Sequence, residues 1–229
     1  MGRKIIILLG HPGAGKGTQA KQIMRRLDIP QISTGDMLRD AIARETSYGK
    51  DAKQRMDAGQ YVQDEVVNGI VAERILREDC RNGFILDGYP RNVQQARTFQ
   101  ELMKPGDQIF VIEIAANPAG DIRRLVGRLM CTKCNEIYNI FSNPPARGGE
   151  CDRCGGSLSR RPDDRQDVIA DRFRTYREKT LPLAEYYKEM GSYHETDGMR
   201  PIADVTREIL AVVDGQEVTT PQGEKGTIA

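Results

Sequence analysis

Apolar positions fall along the chain in two rhythms. Residues 5 to 9, Ile-Ile-Ile-Leu-Leu, form an unbroken apolar run, the signature of a strand buried on both faces of a parallel sheet. Phe84-Ile85-Leu86 and the stretch from Ile109 to Ile114 repeat that signal. Between the runs lie helix-forming stretches over Gly15–Leu27, Asp64–Glu78, Asn92–Met103 and Asp121–Met130. Strands alternating with helices at this spacing predict a doubly wound α/β domain. Two stretches interrupt the alternation. Residues 33–62 read as a small helical insertion, opened by an N-cap region at Ser33-Thr34-Gly35-Asp36 and closed near Gly59. Residues 131–160 lack helical periodicity and are rich in Cys, Gly, Pro and Asn, which predicts a compact insertion nucleated by metal. Asp163–Met190 and Arg200–Val213 return to helix-forming sequence, and Gly215–Ala229, with no apolar period, reads as a mobile tail.

Composition narrows the function classes. The 229 residues carry 34 Lys+Arg against 33 Asp+Glu, a net charge of +1, which argues against nucleic-acid binding through a wholesale basic surface. The first apolar run is too short for a signal-peptide core or a membrane span, so no membrane association is expected. Ile6 stands where a myristoylation motif needs Ser or Thr. Five cysteines are a poor disulfide framework, and four of them form two Cys-x-x-Cys pairs. A reducing, cytoplasmic setting follows, with the pairs reserved for metal.

The segment Gly10-His-Pro-Gly-Ala-Gly-Lys-Gly-Thr18 directly follows the first apolar run and opens a helix. This is the context of a phosphate-binding loop: Gly13, Ala14, Gly15 and Gly17 let backbone N–H groups surround phosphate oxygens, and Lys16 can reach the β- and γ-phosphates. Gly17 separates Lys16 from Thr18, which leaves open which hydroxyl approaches Mg²⁺. The competing reading is a Gly-rich turn without a ligand.

Three ordered motifs resemble the adenylate kinase family of nucleoside monophosphate kinases: Gly10 to Ala20, Ser33-Thr-Gly-Asp-Met-Leu-Arg39, and Asp87-Gly-Tyr-Pro-Arg91 with Gln95 beyond. The likeness runs from about Lys4 to Val213. It implies a monomeric enzyme with a P-loop core (1–32, 63–126 and 165–214), a helical AMP-binding insertion (33–62) and a lid (127–164). The reaction implied is reversible phosphoryl transfer from MgATP to AMP, giving two ADP. By the same resemblance Arg39 and Arg91 hold the AMP phosphate, and Arg128, Arg161 and Arg172 close over the transferring phosphates. Arg161 and Arg172 also border the AMP site, and Arg124 stacks near the adenine of ATP. Arginine suits such work because its planar fork grips phosphate oxygens bidentately and stays charged. Without the motifs, each would read as a solvated surface charge; Arg123, Arg160 and Arg165 are left in that class.

Asp87 ends an apolar run where α/β folds place ligands, and its expected role is to hold Mg²⁺ through water; a cap for the following turn is the alternative. AMP selection is assigned to Thr34, Gln95 and backbone groups of Gln60, Tyr61 and Val62 and of Gly88, Tyr89, Pro90 and Arg91. Gln60 departs from the Lys of many relatives. Ile137, Tyr138 and Arg200 match positions around the ATP base. No general base stands out, which fits a reaction dominated by positioning.

Cys131-Thr-Lys-Cys134 and Cys151-Asp-Arg-Cys154 are separated by 16 residues. Two such knuckles predict a closed four-cysteine site holding structural Zn²⁺, with disulfides, redox pairs and an iron–sulfur cluster as alternatives. Cys80 reads as packing, and neither His11 nor His194 sits in a metal or acid–base pattern. The rival functions are a kinase for another nucleoside monophosphate or with GTP as donor, and a P-loop ATPase with a nucleic-acid-binding ribbon. Aromatic residues at 6%, with no Trp, weigh against base stacking by that ribbon.

Overall fold

The computed structural model describes residues 2–216. Residues 217–229, most of the stretch read above as a mobile tail, lie outside the described residues.

Strand β1 (Lys4–Leu9) occupies the middle of a five-stranded parallel sheet of order β2-β3-β1-β4-β8, with β2 at Gln31–Ser33, β3 at Gly83–Asp87, β4 at Gln108–Ala115 and β8 at Tyr193–Asp197. Its register sets Ile6 beside Ile85 of β3 and Phe110 of β4. Successive side chains on a strand point to opposite faces, and β1 divides accordingly. Ile5, Ile7 and Leu9 join Phe84, Leu86 and Val111 in one core layer, whereas Ile6 and Leu8 join Ile85 and Ile112 in the other. Both layers are covered by helices, which is why the run is apolar without alternation.

Helices α1 (Lys16–Leu27) and α9 (Ile202–Val213) close the Ile6 face through Ala20, Ile23, Val205 and Ile209. Helices α4 (Asp64–Arg74), α5 (Val93–Gln100) and α8 (Pro182–Glu189) close the other through Val67, Val71, Phe99, Leu183 and Tyr187. Helices α2 (Thr34–Ala43) and α3 (Ser47–Asp57) form the helical stretch after β2. Ser33 caps α2, its hydroxyl accepting from the Asp36 N–H at 3.3 Å. Helix α6 (Pro118–Val126) is followed by β5 (Arg128–Cys131), β6 (Ile137–Asn139) and β7 (Leu158–Ser159), an antiparallel sheet of order β6-β5-β7. Helix α7 (Gln166–Thr175) then runs through a π turn (Tyr176–Thr180) towards α8.

Three features depart from the sequence reading. The helix expected over 121–130 ends at Val126, and Arg128–Cys131 pairs as a strand because its neighbours β6 and β7 supply partners that local sequence does not reveal. Strand β2 is only three residues, too short for a period. Strand β8, Tyr-His-Glu-Thr-Asp, is a polar edge strand recruited by pairing with β4.

Candidate active site

A cleft of about 830 Å³ opens at the C-terminal ends of β1, β2, β3 and β4, where open α/β sheets place their ligands. The loop after β1 forms one wall. Gly10, Gly13 and Gly15 have φ of 135°, 92° and 101°, a region that side chains with a Cβ avoid. Gly15 is the N-cap of α1, so the free N–H groups of the first turn face the cleft mouth. Lys16 Nζ donates to the carbonyls of Gly10 at 2.6 Å and His11 at 2.9 Å, which wraps the loop around the ammonium. Burial lowers the Lys16 pKa to about 8, with Arg91 and Arg172 pressing the same way against Asp87 and Asp121. Such crowding of cations is costly without a ligand and is relieved by a polyanion.

The arginines converge on this cleft from separate elements. Arg91 Nε donates to the Gly88 carbonyl at 2.7 Å, and its guanidinium lies 4.5 Å from the centre of the Tyr61 ring. Arg39 pairs with Asp36 at 2.5 Å. Arg128 grips Asp164 at 2.5 Å, and Arg172 reaches the same carboxylate at 2.7 Å and Asp163 at 3.2 Å. Arg161, from the segment after β7, meets Asp36 of α2 at 3.5 Å. Burial, with Arg128 and Arg39 adding to it, lowers the Arg161 pKa to about 9. Asp36, Asp163 and Asp164 therefore hold the like charges of these arginines close together. Sequence reasoning passed over all three, although the run Arg160-Arg161-Pro162-Asp163-Asp164-Arg165 sets two carboxylates among arginines.

Asp87, at the end of β3, accepts from Gln31 Nε2 at 2.9 Å, and its carboxylate faces Gly17 at the start of α1. Thr34 is buried, and its hydroxyl donates to the Gly88 carbonyl at 2.8 Å. Arg124 donates to the Gly198 carbonyl at 3.0 Å, beside Arg200, which pairs with Glu208. Gly13, Ala14, Thr18, Gln60, Val62, Pro90 and Ile137 also line the cleft.

Comparison with known proteins agrees with this architecture. A family model described as adenylate kinase matches residues 8–192. The chain belongs to the adenylate kinase family. It is 44% identical over 211 residues to the adenylate kinase of Archaeoglobus fulgidus, covering 91% of this chain and 97% of that protein. It is 44% identical over 212 residues to that of Bacillus cytotoxicus, with 92% and 98% covered. The adenylate kinase of Thermosipho africanus is 40% identical over 210 residues, with 91% and 98% covered.

Within this adenylate kinase scaffold, some residues named from sequence face away from the cleft. The Tyr89 side chain, two residues beyond the end of β3 and past the turn at Gly88 (φ 79°), is buried in the core, edge-on to Phe99 with centroids 5.8 Å apart, and its hydroxyl donates to Asn68. Gln95 reaches the cleft wall but its amide is engaged, accepting from the Arg91 N–H and donating to Asp64, both at 2.7 Å. Tyr138 turns its hydroxyl to Cys151 Sγ at 3.5 Å and accepts from the Asp152 N–H at 2.9 Å. Its ring packs in the cysteine cluster.

The four cysteines are brought together. The sulfurs of Cys131, Cys134, Cys151 and Cys154 lie within 4.8 Å of one another. The N–H groups of Lys133 and Cys134 point at Cys131 Sγ from 3.4 and 3.5 Å. A Cβ on Gly156 would come within 2.9 Å of the same sulfur, so only glycine fits the second knuckle. The remaining thiol, Cys80, is buried beside Arg74. Lys21 of α1 donates to the Asn135 carbonyl at 2.7 Å, and Glu136 pairs with Lys21 at 3.5 Å, which holds the cysteine segment down on the core.

Proposed function

We propose that the protein transfers the terminal phosphoryl group reversibly from MgATP to AMP, giving two ADP. The observation that carries this reading is the convergence of Lys16, Arg39, Arg91, Arg128, Arg161 and Arg172 on one cleft of about 830 Å³, large enough for two nucleotides. The phosphate loop and Lys16 hold the donor β- and γ-phosphates; Arg39 and Arg91 hold the acceptor phosphate. Arg128, Arg161 and Arg172 neutralise charge on the equatorial oxygens as the group moves. The chemistry needs alignment and charge compensation more than a base. In this scheme the arginines exchange Asp36, Asp163 and Asp164 for phosphate oxygens, so little reorganisation remains for the reaction step. Asp87 would hold a water of the nucleotide's Mg²⁺, and the metal when bound would supply charge compensation for the phosphates.

Thr34 retains acceptor capacity after donating to Gly88 and, with the backbone of Gln60–Val62, would read the acceptor base. Arg124, Arg200 and the backbone at Ile137–Tyr138 border the donor base. The segment 127–164 acts as the lid that excludes water, a competing acceptor. Four thiolates in tetrahedral contact with Zn²⁺ at about 2.3 Å would stand roughly 3.8 Å apart, a spacing the clustered sulfurs fit. The metal would cross-link the lid and leave no open coordination position. The enzyme is proposed to work as a cytoplasmic monomer; no described helix is long and apolar enough to cross a membrane. Assay of the purified protein with ATP or GTP against AMP, GMP, CMP and UMP tests the assignment: fastest turnover with ATP and AMP is expected, and faster turnover with CMP or UMP would overturn it.

A further inference from the structure

The phosphate loop is backed by a charge pair that none of these roles uses. Asp121, in the first turn of α6, is fully buried, and neither carboxylate oxygen has a hydrogen-bond partner among the described residues. Its nearest cations are His11 Nδ1 at 3.6 Å and the Arg124 guanidinium at 3.7 Å, each roughly half an ångström beyond hydrogen-bond range. Gly13 packs on the same residue, where a Cβ would stand 2.5 Å from the Asp121 carbonyl oxygen. A carboxylate so placed must be neutralised by a proton or by a cation. Burial pushes the Asp121 carboxyl up, while Arg124, His11 and Lys16 draw it back.

His11 is built to be that cation. Its ring stacks on Phe173 at 5.6 Å and tilts against Tyr176 at 4.7 Å, and aromatic faces favour a positive charge. The groups facing it are Asp121 and Arg124 from α6, Lys16 from α1, and Tyr176, whose hydroxyl donates to Glu113 of β4 at 3.4 Å. Through these contacts His11 joins the loop to α6 and to α7, which carries Arg172.

We propose that His11 and Asp121 form an ion pair that positions the phosphate loop for the donor nucleotide. His11 belongs to the loop and Asp121 stands behind it, and neither lines the cleft, so they are positioning residues. Protonated His11 neutralises Asp121 and leaves Lys16 to the phosphates and Arg124 to the donor base. Neutral His11 leaves the carboxylate to compete for those cations. Donor affinity therefore weakens when the imidazole loses its proton, while acceptor affinity does not. The inference rests on the phosphotransfer reading of the cleft.

Steady-state kinetics from pH 5.5 to 8.5 on the unmodified enzyme, His11→Gln, Asp121→Asn and the double variant test it. Comparison with Asp121→Asn removes the titration of the nucleotide phosphates themselves. The expected result is a KM for ATP that rises about fivefold more steeply with pH in the unmodified enzyme than in Asp121→Asn, with the KM for AMP level in both. The double variant should be no worse than His11→Gln alone, since coupled residues are not additive. Equal pH profiles, or additive losses, would overturn the pair. His11→Gln keeps the kinetic arm available should Asp121→Asn fail to fold. Proton NMR adds a readout independent of turnover, because His11 and His194 are the only histidines. Asp121→Asn should move the titration of His11 and spare His194. An unmoved His11 titration sinks the proposal even if the acceptor proves not to be AMP.

Discussion

The sheet core and the cysteine segment both present positive charge to the same cleft, yet they hold themselves together by different means. In the core, Ile5, Ile6 and Ile7 are all 0% exposed and feed two helix-covered layers, so the loop that follows starts from a rigid, fully packed strand. In the segment from β5 to β7 the buried residues are Cys131, Tyr138 and Cys151, with Leu129, Leu158, Cys134 and Cys154 against them. That cluster is too small to offset the conformational entropy of the residues it orders. The proposed four-thiolate metal site would supply what packing cannot. The lesson is that the cationic lining of one cleft is divided between a packed wall, bearing Lys16 and Arg91, and a small flap with little core of its own, bearing Arg128 and Arg161. The flap meets α2 through an ion pair, Arg161–Asp36 at 3.5 Å, and not through apolar packing.

Lys16→Met should lower kcat/KM for phosphoryl transfer by about 10²- to 10³-fold and leave the melting temperature unchanged; retained activity would remove the packed wall from the chemistry. Stripping metal with a chelator, or making all four Cys→Ser changes, should melt the flap ahead of the core. Hydrogen exchange would report it, with amides of residues 128–159 losing protection before those of β1 and β3. Fewer than about half an equivalent of zinc by mass spectrometry of carefully purified protein would break the comparison, given how tightly such sites bind.

Ile6→Ala probes the other side and should cost the core about 2 to 5 kcal/mol by chemical denaturation while bound metal stays stoichiometric. A simultaneous loss of metal would mean that the two regions are one cooperative unit. The smallest effect concerns their shared boundary. Burial opposes ionisation of Asp163, but Arg172, Arg39, Arg128 and Arg161 outweigh it and hold its carboxyl below the usual carboxylate range. A depressed folded-state pKa means stability present above the unfolded value, about 3.9, and lost as pH falls through the lower folded one. Asp163→Asn should therefore flatten the acid limb of the unfolding curve; an unchanged limb would remove Asp163 from the boundary.

Much of the site was legible because its chemistry is local. The glycine pattern from Gly10 to Gly17 and the two cysteine knuckles each confine their ligand atoms within a few residues, and β1 advertises its burial by an unbroken apolar run. What stayed hidden depends on partners distant in sequence. Nothing in Arg128–Cys131 distinguishes a strand from the end of α6 until β6 and β7 lie beside it. Tyr89 and Tyr138 sit in motifs that face the cleft, but the turn at Gly88 is followed by burial of the first ring in the core, and the second ring packs in the flap with its hydroxyl at Cys151.

By itself, then, the order of residues determined the alternating α/β core, the phosphate loop and the four-thiolate cluster, since each follows from local period or spacing. Only the tertiary structure decided that Asp36, Asp163 and Asp164 would separate the arginines, and that Asp121 would lie buried against His11. Charge balance in a cleft depends on distance and burial, and both are set by elements that meet from opposite ends of the chain.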